Sequence, residues 1–146
     1  MAQLPKGTVE LQPVLVDSNV LLDVISEDPA WFEWSSGQLV REAERSALVI
    51  NPIIYAEVSV GVAEIELLEE LLPPEFYVRA PLPWEAAFLA GKAFLRYRRR
   101  GGNRQRPLPD FFIGAHAAVR GLRLLTRDAG RYAIYFPTVE LIAPSY

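Results

Sequence analysis

The chain alternates between two hydrophobic patterns. Short β-branched and apolar runs are typical of buried strands, and stretches with apolar residues every three or four positions are typical of helices. Strands are predicted at 14–17, 47–50, 76–78 and 122–126, with a further candidate at 139–142. Helices are predicted at 18–25, 30–46, 53–62, 65–72, 85–97 and 109–121. This alternation predicts an α/β fold, with a short, mostly parallel sheet of four or five strands flanked by helices.

Composition limits the class of protein. The chain has 146 residues, 51% of them apolar and 23% charged, which predicts one globular domain from residue 14 onward, preceded by an extension over 1–13. The absence of cysteine excludes disulfides and cysteine-ligated zinc, and it fits a reducing cytoplasm. The most apolar stretch, 47–63, is interrupted by Asn51 and Pro52, so no membrane span is expected.

The positive charge is concentrated in one segment. Net charge is −3, yet six of the fifteen basic residues are arginines between Arg96 and Arg106. Arginine side chains match phosphate groups bidentately, and such contacts give largely sequence-independent affinity for nucleic acid. The expected contacts to nucleic-acid phosphates are Arg98, Arg99, Arg100, Arg104 and Arg106. The alternative is a solvated arginine run at a helix end, favoured by the helix dipole.

Four carboxylates lie at the ends of predicted elements. In an open α/β sheet, ligands bind beyond the carboxyl ends of the strands. Asp17 and Asp128 follow predicted strands, Asp110 opens a helix, and Glu57 lies on the apolar face of another. Each also has an ordinary structural explanation. Asp17 suits a helix N-cap, Glu57 an ion pair with arginine, Asp110 the positive end of a helix dipole, and Asp128 a surface turn.

Gathered in one place, these four acids would repel one another. Two carboxylates about 4 Å apart repel by roughly 4 kcal/mol at an effective dielectric constant near 20. A bound cation would offset that repulsion, and Mg²⁺ and Mn²⁺ prefer oxygen ligands. Such an ion can activate water for cleavage of a phosphodiester. Convergence of the four acids therefore predicts a divalent-metal site for this chemistry.

Other chemistries lack their residues. His116 is the only histidine, and it shares a helix side with Phe112 and Ile113, so a structural role is expected. A two-histidine ribonuclease mechanism is therefore excluded. No Walker loop and no Gly-x-Gly-x-x-Gly motif is present. The aromatic cluster Trp31, Phe32 and Trp34 is expected to pack partly in the core, and an exposed remainder would bind a protein partner.

Four segments together resemble a known family. They are VDSNVLLD at 16–23, IYAEVS at 54–59, PDFFIGAHA at 109–117 and LTRD at 125–128. In this order and at these spacings, the chain resembles PIN-domain ribonucleases, specifically VapC-like toxins of type II toxin–antitoxin systems, over roughly 14–142. The resemblance implies a three-layer PIN-like fold over 14–146. Two departures from the commonest pattern are the extension before residue 14 and the long arginine loop before Asp110.

The resemblance also implies a site and partners. By motif position, Asp17, Glu57, Asp110 and Asp128 would be catalytic acids that bind Mg²⁺ or Mn²⁺. Asn19 and Thr126 would support them. The implied activity is cleavage of RNA, often tRNA, by a homodimer that a cognate antitoxin neutralises. The alternative is a non-catalytic module that binds RNA or protein through its arginine loop.

Overall fold

The structure, a computed structural model, describes residues 11–103, 105 and 108–145. Its centre is a five-stranded sheet in the order β3-β2-β1-β4-β5, in which all neighbours pair in parallel. The strands are β1 (Val14–Val16), β2 (Leu48–Ile50), β3 (Tyr77–Arg79), β4 (Arg123–Leu125) and β5 (Leu141–Ile142). The predicted α/β class and short parallel sheet are confirmed. Residues 1–10 of the predicted extension lie outside the described residues.

Seven helices in the described part of the chain flank the sheet. They are α1 (Ser18–Ile25), α2 (Phe32–Arg45), α3 (Pro52–Ser59), α4 (Ile65–Leu71), α5 (Trp84–Arg99), α6 (Pro109–Arg120) and α7 (Gly130–Tyr135). The sequence predicts only a turn at Ala129 and Gly130, so the interpretation missed α7. The prediction also placed Arg98 and Arg99 in a loop, whereas both are helical. Arginine is a good helix former, and its charge is favourable at a helix C-terminus.

The core explains why β1 and β2 are apolar without alternation. All three residues of β1 are fully buried, because helices cover both faces of the sheet. Helices α5 and α6 pack closely through small residues, among them Ala90 and Ala93. Gly114 of α6 lies so near the ring of Phe136 that a Cβ there would clash. The absence of a side chain at Gly114 therefore lets Phe136 pack directly against α6.

A buried ion pair joins α2 to β4. Nη1 of Arg123 lies 2.8 Å from Oε1 of Glu42, and both side chains are buried. Arg45 binds the other oxygen of Glu42 at 3.1 Å, and Nη2 of Arg123 donates to Ser46. Because each buried charge has an opposite charge and further hydrogen bonds, this cluster anchors the helix to the sheet.

The register of β1 and β4 brings distant residues together. Val16 pairs with Leu125, and the next backbone N–H, that of Asp17, donates to the Leu125 carbonyl at 2.9 Å. Asp17 and Thr126 therefore lie side by side at the carboxyl edge of the sheet. Among the described residues, no helix is both long enough and apolar enough to cross a membrane.

Candidate metal centre

Asp17 occupies the N-cap position of α1, but its side chain makes no capping hydrogen bond. The carboxylate is only 3% exposed. Its Oδ2 accepts hydrogen bonds from Thr126 Oγ1 at 2.9 Å, Tyr132 OH at 2.9 Å and Asn19 Nδ2 at 3.4 Å. All three donors are neutral. The ordinary capping explanation therefore does not account for this carboxylate.

The pKa of Asp17 depends on its burial, on nearby charges and on its hydrogen bonds. Burial raises its pKa from 3.8 to about 6, and the negative charge of Asp110 adds to the rise. The hydrogen bonds from Thr126 and Tyr132 lower the pKa in part, and the charge of Glu57 raises it slightly. A carboxyl group in these surroundings would be stabilised as an anion by a nearby cation.

Asp110 lies in the first turn of α6 and is linked to Asp17 through Tyr132. The Tyr132 hydroxyl lies 2.9 Å from Asp17 Oδ2 and 3.3 Å from Asp110 Oδ1. Burial and the two carboxylates raise the pKa of Tyr132 well above its ordinary value, so the hydroxyl keeps its proton. The other oxygen of Asp110, Oδ2, accepts a hydrogen bond from Arg131 Nη1 at 2.9 Å.

Glu57 reaches the same edge from α3. Its Oε1 accepts a hydrogen bond from the Ser18 hydroxyl at 2.9 Å. Burial raises the pKa of Glu57, and the charge of Asp110 raises it further, while the Ser18 hydrogen bond lowers it. No ion pair of Glu57 with arginine is found in the described part of the chain. The structure therefore brings Asp17, Asp110 and Glu57 within electrostatic reach of one another.

The start of α3 is fixed by a buried polar pair. Asn51 caps the helix, since its Oδ1 accepts from the Ile54 N–H at 2.9 Å. The Asn51 amide nitrogen lies 2.9 Å from Nδ1 of His116. Burial lowers the pKa of His116, and the charge of Arg120 lowers it further. His116 thus has the structural role that its position on α6 predicts, and it supports the helix that carries Glu57.

Asp128 is the least integrated of the predicted acids. It is exposed, and its contact with the site is through its backbone, whose N–H donates to Thr126 Oγ1 at 3.1 Å. Asn19 spans the same region, because its Nδ2 donates to Thr126 Oγ1 at 3.3 Å and its Oδ1 accepts from the Arg127 N–H at 3.4 Å. Asn19 and Thr126 therefore hold the ends of β1 and β4 together around Asp17.

The donor set fits a hard divalent cation. Asp17, Asp110 and Glu57 supply oxygen atoms, the ligands that Mg²⁺ and Mn²⁺ prefer. The charge of Asp110 raises the pKa of Asp17 and of Glu57, and the charge of Glu57 also raises that of Asp17. As the side chains stand, no three acidic or histidine groups among the described residues form a ready metal cluster. Arg131 and Tyr132 instead bind the oxygens of Asp110.

Arginines lie beside α7, the helix that carries Arg131 and Tyr132. Arg98, Arg99 and Arg100 are exposed at the end of α5, while Arg104 and Arg106 lie outside the described residues. The Arg100 guanidinium lies 5.9 Å from the Tyr135 ring centroid. Arg96 donates to the Tyr135 carbonyl at 3.2 Å. Arg96 and Arg100 therefore contact the helix that also carries Arg131 and Tyr132.

Two residues of the site were not predicted in these roles. Neither Tyr132 nor Arg131 is among the site residues that the sequence predicts. A signal for α7 exists, since Tyr132, Tyr135 and Phe136 follow a helical spacing and are all buried. Six residues are, however, too few for this periodicity to exclude a turn.

The aromatic cluster divides between core and surface. Trp34 packs against the hydrophobic core, whereas Phe32 is 36% exposed. Trp31 lies edge-on to Trp34, with ring centroids 5.9 Å apart. The Arg127 guanidinium lies 5.4 Å from the Trp31 ring centroid, and its Nε donates to the buried Asp23 carboxylate at 2.9 Å. This cluster therefore lies next to the Thr126–Asp128 end of the site.

Comparison with solved structures shows a shared fold. The chain resembles VapBC2 from Rickettsia felis, solved with a promoter DNA fragment, at 17% identity and a TM-score of 0.71, covering 91% of this chain and 99% of that one. It resembles FitAcB from Neisseria gonorrhoeae at 21% identity and a TM-score of 0.68, covering 88% and 96%. A toxin–antitoxin complex from Klebsiella pneumoniae matches at 24% identity and a TM-score of 0.64, covering 86% and 94%.

Comparison with family models identifies the family. The model of the PIN domain matches residues 14–137, which is most of the chain. A search of curated proteins found no match. PIN domains are generally nucleases. The matched range includes all four predicted acids and both strand ends that form the site. The chain therefore belongs to the PIN domain family.

Proposed function

We propose that the protein is a metal-dependent endoribonuclease that acts as the toxin of a toxin–antitoxin pair. The observation that carries the proposal is Asp17, a carboxylate buried at the carboxyl end of β1 whose hydrogen-bond donors among the described residues are all neutral. The charges of Asp110 and Glu57 both reach it. A fold tolerates such a group when a cation is bound during function.

The proposed roles follow from position. Asp17, Glu57, Asp110 and Asp128 supply the oxygen ligands for Mg²⁺ or Mn²⁺. Such an ion, when bound, supplies activation of water and neutralisation of charge on the phosphate. Thr126 and Asn19 orient Asp17, and Tyr132 holds Asp17 and Asp110 at a fixed separation through its hydroxyl.

The proposed substrate is RNA, with tRNA or another structured RNA as the first candidates. Arg98, Arg99 and Arg100 are exposed at the end of α5, and Arg96 and Arg100 contact the helix that carries Arg131. Arg104 and Arg106 continue the same basic segment in the sequence. Phosphates bound along these arginines would lead the RNA backbone toward the acids. Cleavage of RNA fits a cytoplasmic protein.

A cleavage assay tests the proposal. A tRNA pool is incubated with the protein and Mn²⁺, with EDTA added, and with the Asp17→Asn variant. The parent is expected to cleave the tRNA with Mn²⁺ but not after EDTA is added, and Asp17→Asn is expected not to cleave it. The control Glu44→Gln, which removes an exposed acid of α2, is expected to cleave like the parent. Cleavage that survives both EDTA and Asp17→Asn would overturn the nuclease assignment.

The alternative function is a non-catalytic module that binds RNA or protein through the arginines. The exposure of Arg98, Arg99 and Arg100 is the observation that favours it. Expression in cells separates the two. If the protein is a nuclease toxin, expression of the parent arrests growth and expression of Asp17→Asn does not. If it is a binding module, the parent and Asp17→Asn affect growth equally.

The proposed antitoxin surface is the exposed part of the aromatic cluster. The Klebsiella pneumoniae neighbour is a toxin–antitoxin complex, which supports a protein partner for this chain. Phe32 is exposed beside Trp31, and exposed aromatic residues of this kind anchor protein interfaces. Trp31→Glu and Phe32→Glu are expected to prevent neutralisation by the protein encoded immediately upstream. Ile65→Glu, an exposed apolar residue of α4, is the control. Unchanged neutralisation would reject this surface.

The proposed homodimer uses the exposed face of α5. Trp84, Phe88 and Leu95 are 89%, 70% and 40% exposed and lie on one helix face. In an antiparallel pair of α5 helices, Glu85 at the start of one helix would face the arginines at the end of the other. Trp84→Glu with Phe88→Glu is expected to sediment as a monomer, while the parent and Ile65→Glu sediment as dimers. A parent that sediments as a monomer would reject the dimer.

A further inference from the structure

Several contacts fix the position of the Arg131 side chain beside Oδ2 of Asp110. Its Nη1 lies 2.9 Å from Asp110 Oδ2, and both side chains are about one-third exposed. Its guanidinium lies 5.6 Å from the centroid of the Tyr97 ring and 5.7 Å from that of Phe111. Those two rings are themselves in contact, with centroids 5.5 Å apart. The guanidinium therefore has a defined position against an aromatic wall.

That position overlaps with the proposed place of a divalent ion. Oδ1 of Asp110 accepts a hydrogen bond from the Tyr132 hydroxyl, and Oδ2 accepts one from Arg131, so both carboxylate oxygens have a protein donor. A divalent ion on this carboxylate would be repelled by the guanidinium and would compete with it for the same oxygens. Because Arg131 is partly exposed on a short helix, its side chain can move without opening the core.

The guanidinium has a second use once it leaves Asp110. Its planar fork matches two phosphate oxygens, and it would then lie next to the acids where an RNA phosphate must sit. Arg100 and Arg96 contact Tyr135 one turn further along α7, so a backbone bound along these arginines would pass Arg131.

We infer that Arg131 is a resident cation of the acidic site that competes with the divalent ion for Asp110 and passes to an RNA phosphate when the ion binds. This inference rests on the proposed function, since it concerns the ion that the acids would hold. It makes Arg131 a positioning residue that couples metal binding to substrate binding. Without RNA, Arg131 keeps metal affinity low, and with RNA it strengthens the complex.

Metal binding without RNA tests the competition. Mn²⁺ affinity is measured by calorimetry on the parent, Arg131→Gln, Arg131→Lys and Arg120→Gln. Arg131→Gln is expected to bind Mn²⁺ roughly fivefold more tightly, because the competing cation is gone. Arg131→Lys retains the charge and is expected to restore the weaker parental affinity. Arg120 lies at the far end of α6, 3.9 Å from Glu85. The control variant Arg120→Gln is therefore expected to have the Mn²⁺ affinity of the parent.

Substrate binding tests the second half. A 2′-O-methyl RNA oligonucleotide, which resists cleavage, is titrated into each protein with Mn²⁺ present. Arg131→Gln is expected to bind it several-fold more weakly than the parent and Arg120→Gln. If Arg131 were merely structural, Arg131→Gln would have a lower thermal stability than the parent and the same Mn²⁺ affinity.

The outcomes separate this inference from the proposed function. If folded Arg131→Gln binds Mn²⁺ no more tightly than the parent, the inference about Arg131 is overturned. The proposed metal centre still stands in that case if the parent binds Mn²⁺ and Asp17→Asn does not. Mn²⁺ binding to neither the parent nor Arg131→Gln overturns both the inference and the metal centre. RNA binding by Arg131→Gln as tight as that of the parent overturns the transfer of Arg131 to phosphate.

Discussion

Asp17 and Glu42 are two carboxylates with nearly the same burial and opposite surroundings. Asp17 is 3% exposed and Glu42 is 2% exposed. Glu42 lies 2.8 Å from one arginine, Arg123, and 3.1 Å from another, Arg45. Asp17 receives hydrogen bonds from a threonine, a tyrosine and an asparagine, all of them neutral. The two regions differ in whether the fold itself supplies the opposite charge.

The comparison shows what separates a structural acid from the acid that we propose to be functional. Burying a charge is costly, and an arginine partner offsets that cost within the folded protein. Glu42 therefore fastens α2 to β4. Within residues 11–103, 105 and 108–145 Asp17 has no such partner, and burial raises its pKa to about 6. Burial alone does not mark a functional carboxylate, whereas burial with neutral donors beside other acids does.

The largest effect is expected from breaking the Glu42 region. Arg123→Met leaves Glu42 buried with only the half-exposed Arg45 as a partner, and should lower the free energy of unfolding by about 3–5 kcal/mol. Arg45→Met, which removes that half-exposed partner, should cost less than about 1 kcal/mol. Urea unfolding measures both. A loss below about 1 kcal/mol in Arg123→Met would show that Glu42 does not depend on Arg123.

The same chemical change should act in opposite directions at the two acids. Asp17→Asn removes an uncompensated charge and should raise the free energy of unfolding near neutral pH by about 1–3 kcal/mol. Glu42→Gln removes a compensated charge and should lower it. Thermal and urea unfolding of both variants check the pair of signs. Destabilisation by Asp17→Asn of the same size as by Glu42→Gln would erase the distinction.

The pH dependence sharpens the comparison further. The pKa of Asp17 is about 6 in the folded protein and 3.8 at its ordinary value, so the folded state binds this proton more tightly. Its contribution to stability is therefore favourable at low pH and is lost as pH rises through about 6. The stability difference between Asp17→Asn and the parent should be near zero at about pH 4 and complete above about pH 7. A difference independent of pH would contradict the raised pKa.

The smallest expected effect concerns the neutral donors of Asp17. Tyr132→Phe removes the hydroxyl that lies between Asp17 and Asp110, and should lower the free energy of unfolding by about 0.5–1.5 kcal/mol. Tyr135→Phe, on the same helix, should cost less. Urea unfolding of the two variants provides the measurement. Equal losses would show that the Tyr132 hydroxyl has no special place in the site.

The sequence predicted the parts of the site that local pattern determines. The apolar run of β1 followed by Asp17, and that of β4 followed by Thr126, placed both residues at the carboxyl edge of the sheet. The apolar face of α3 gave Glu57 its direction into the protein, and Pro109 at the start of α6 placed Asp110 in the first helical turn. Periodicity is a local property, so these features can be read without knowing the fold.

The charge partners could not be predicted in the same way. Arg131 is 21 residues from Asp110, and Arg123 is 81 residues from Glu42. Several arginines could have reached each acid, and only the packing of α7 and β4 selects these pairs. Helix α7 itself was missed because its six residues follow an apparent turn. Whether a buried acid has a charged partner, which distinguishes Glu42 from Asp17, could therefore be seen only in the structure.

The most direct test asks whether a divalent ion supplies the charge that Asp17 lacks. The melting temperature of the parent, Asp17→Asn and Glu44→Gln is measured with and without Mn²⁺, because an ion that binds only the folded state raises it. The account predicts that Mn²⁺ raises the melting temperature of the parent and of Glu44→Gln and leaves that of Asp17→Asn unchanged. An equal rise in all three proteins, or a rise in none, would contradict it.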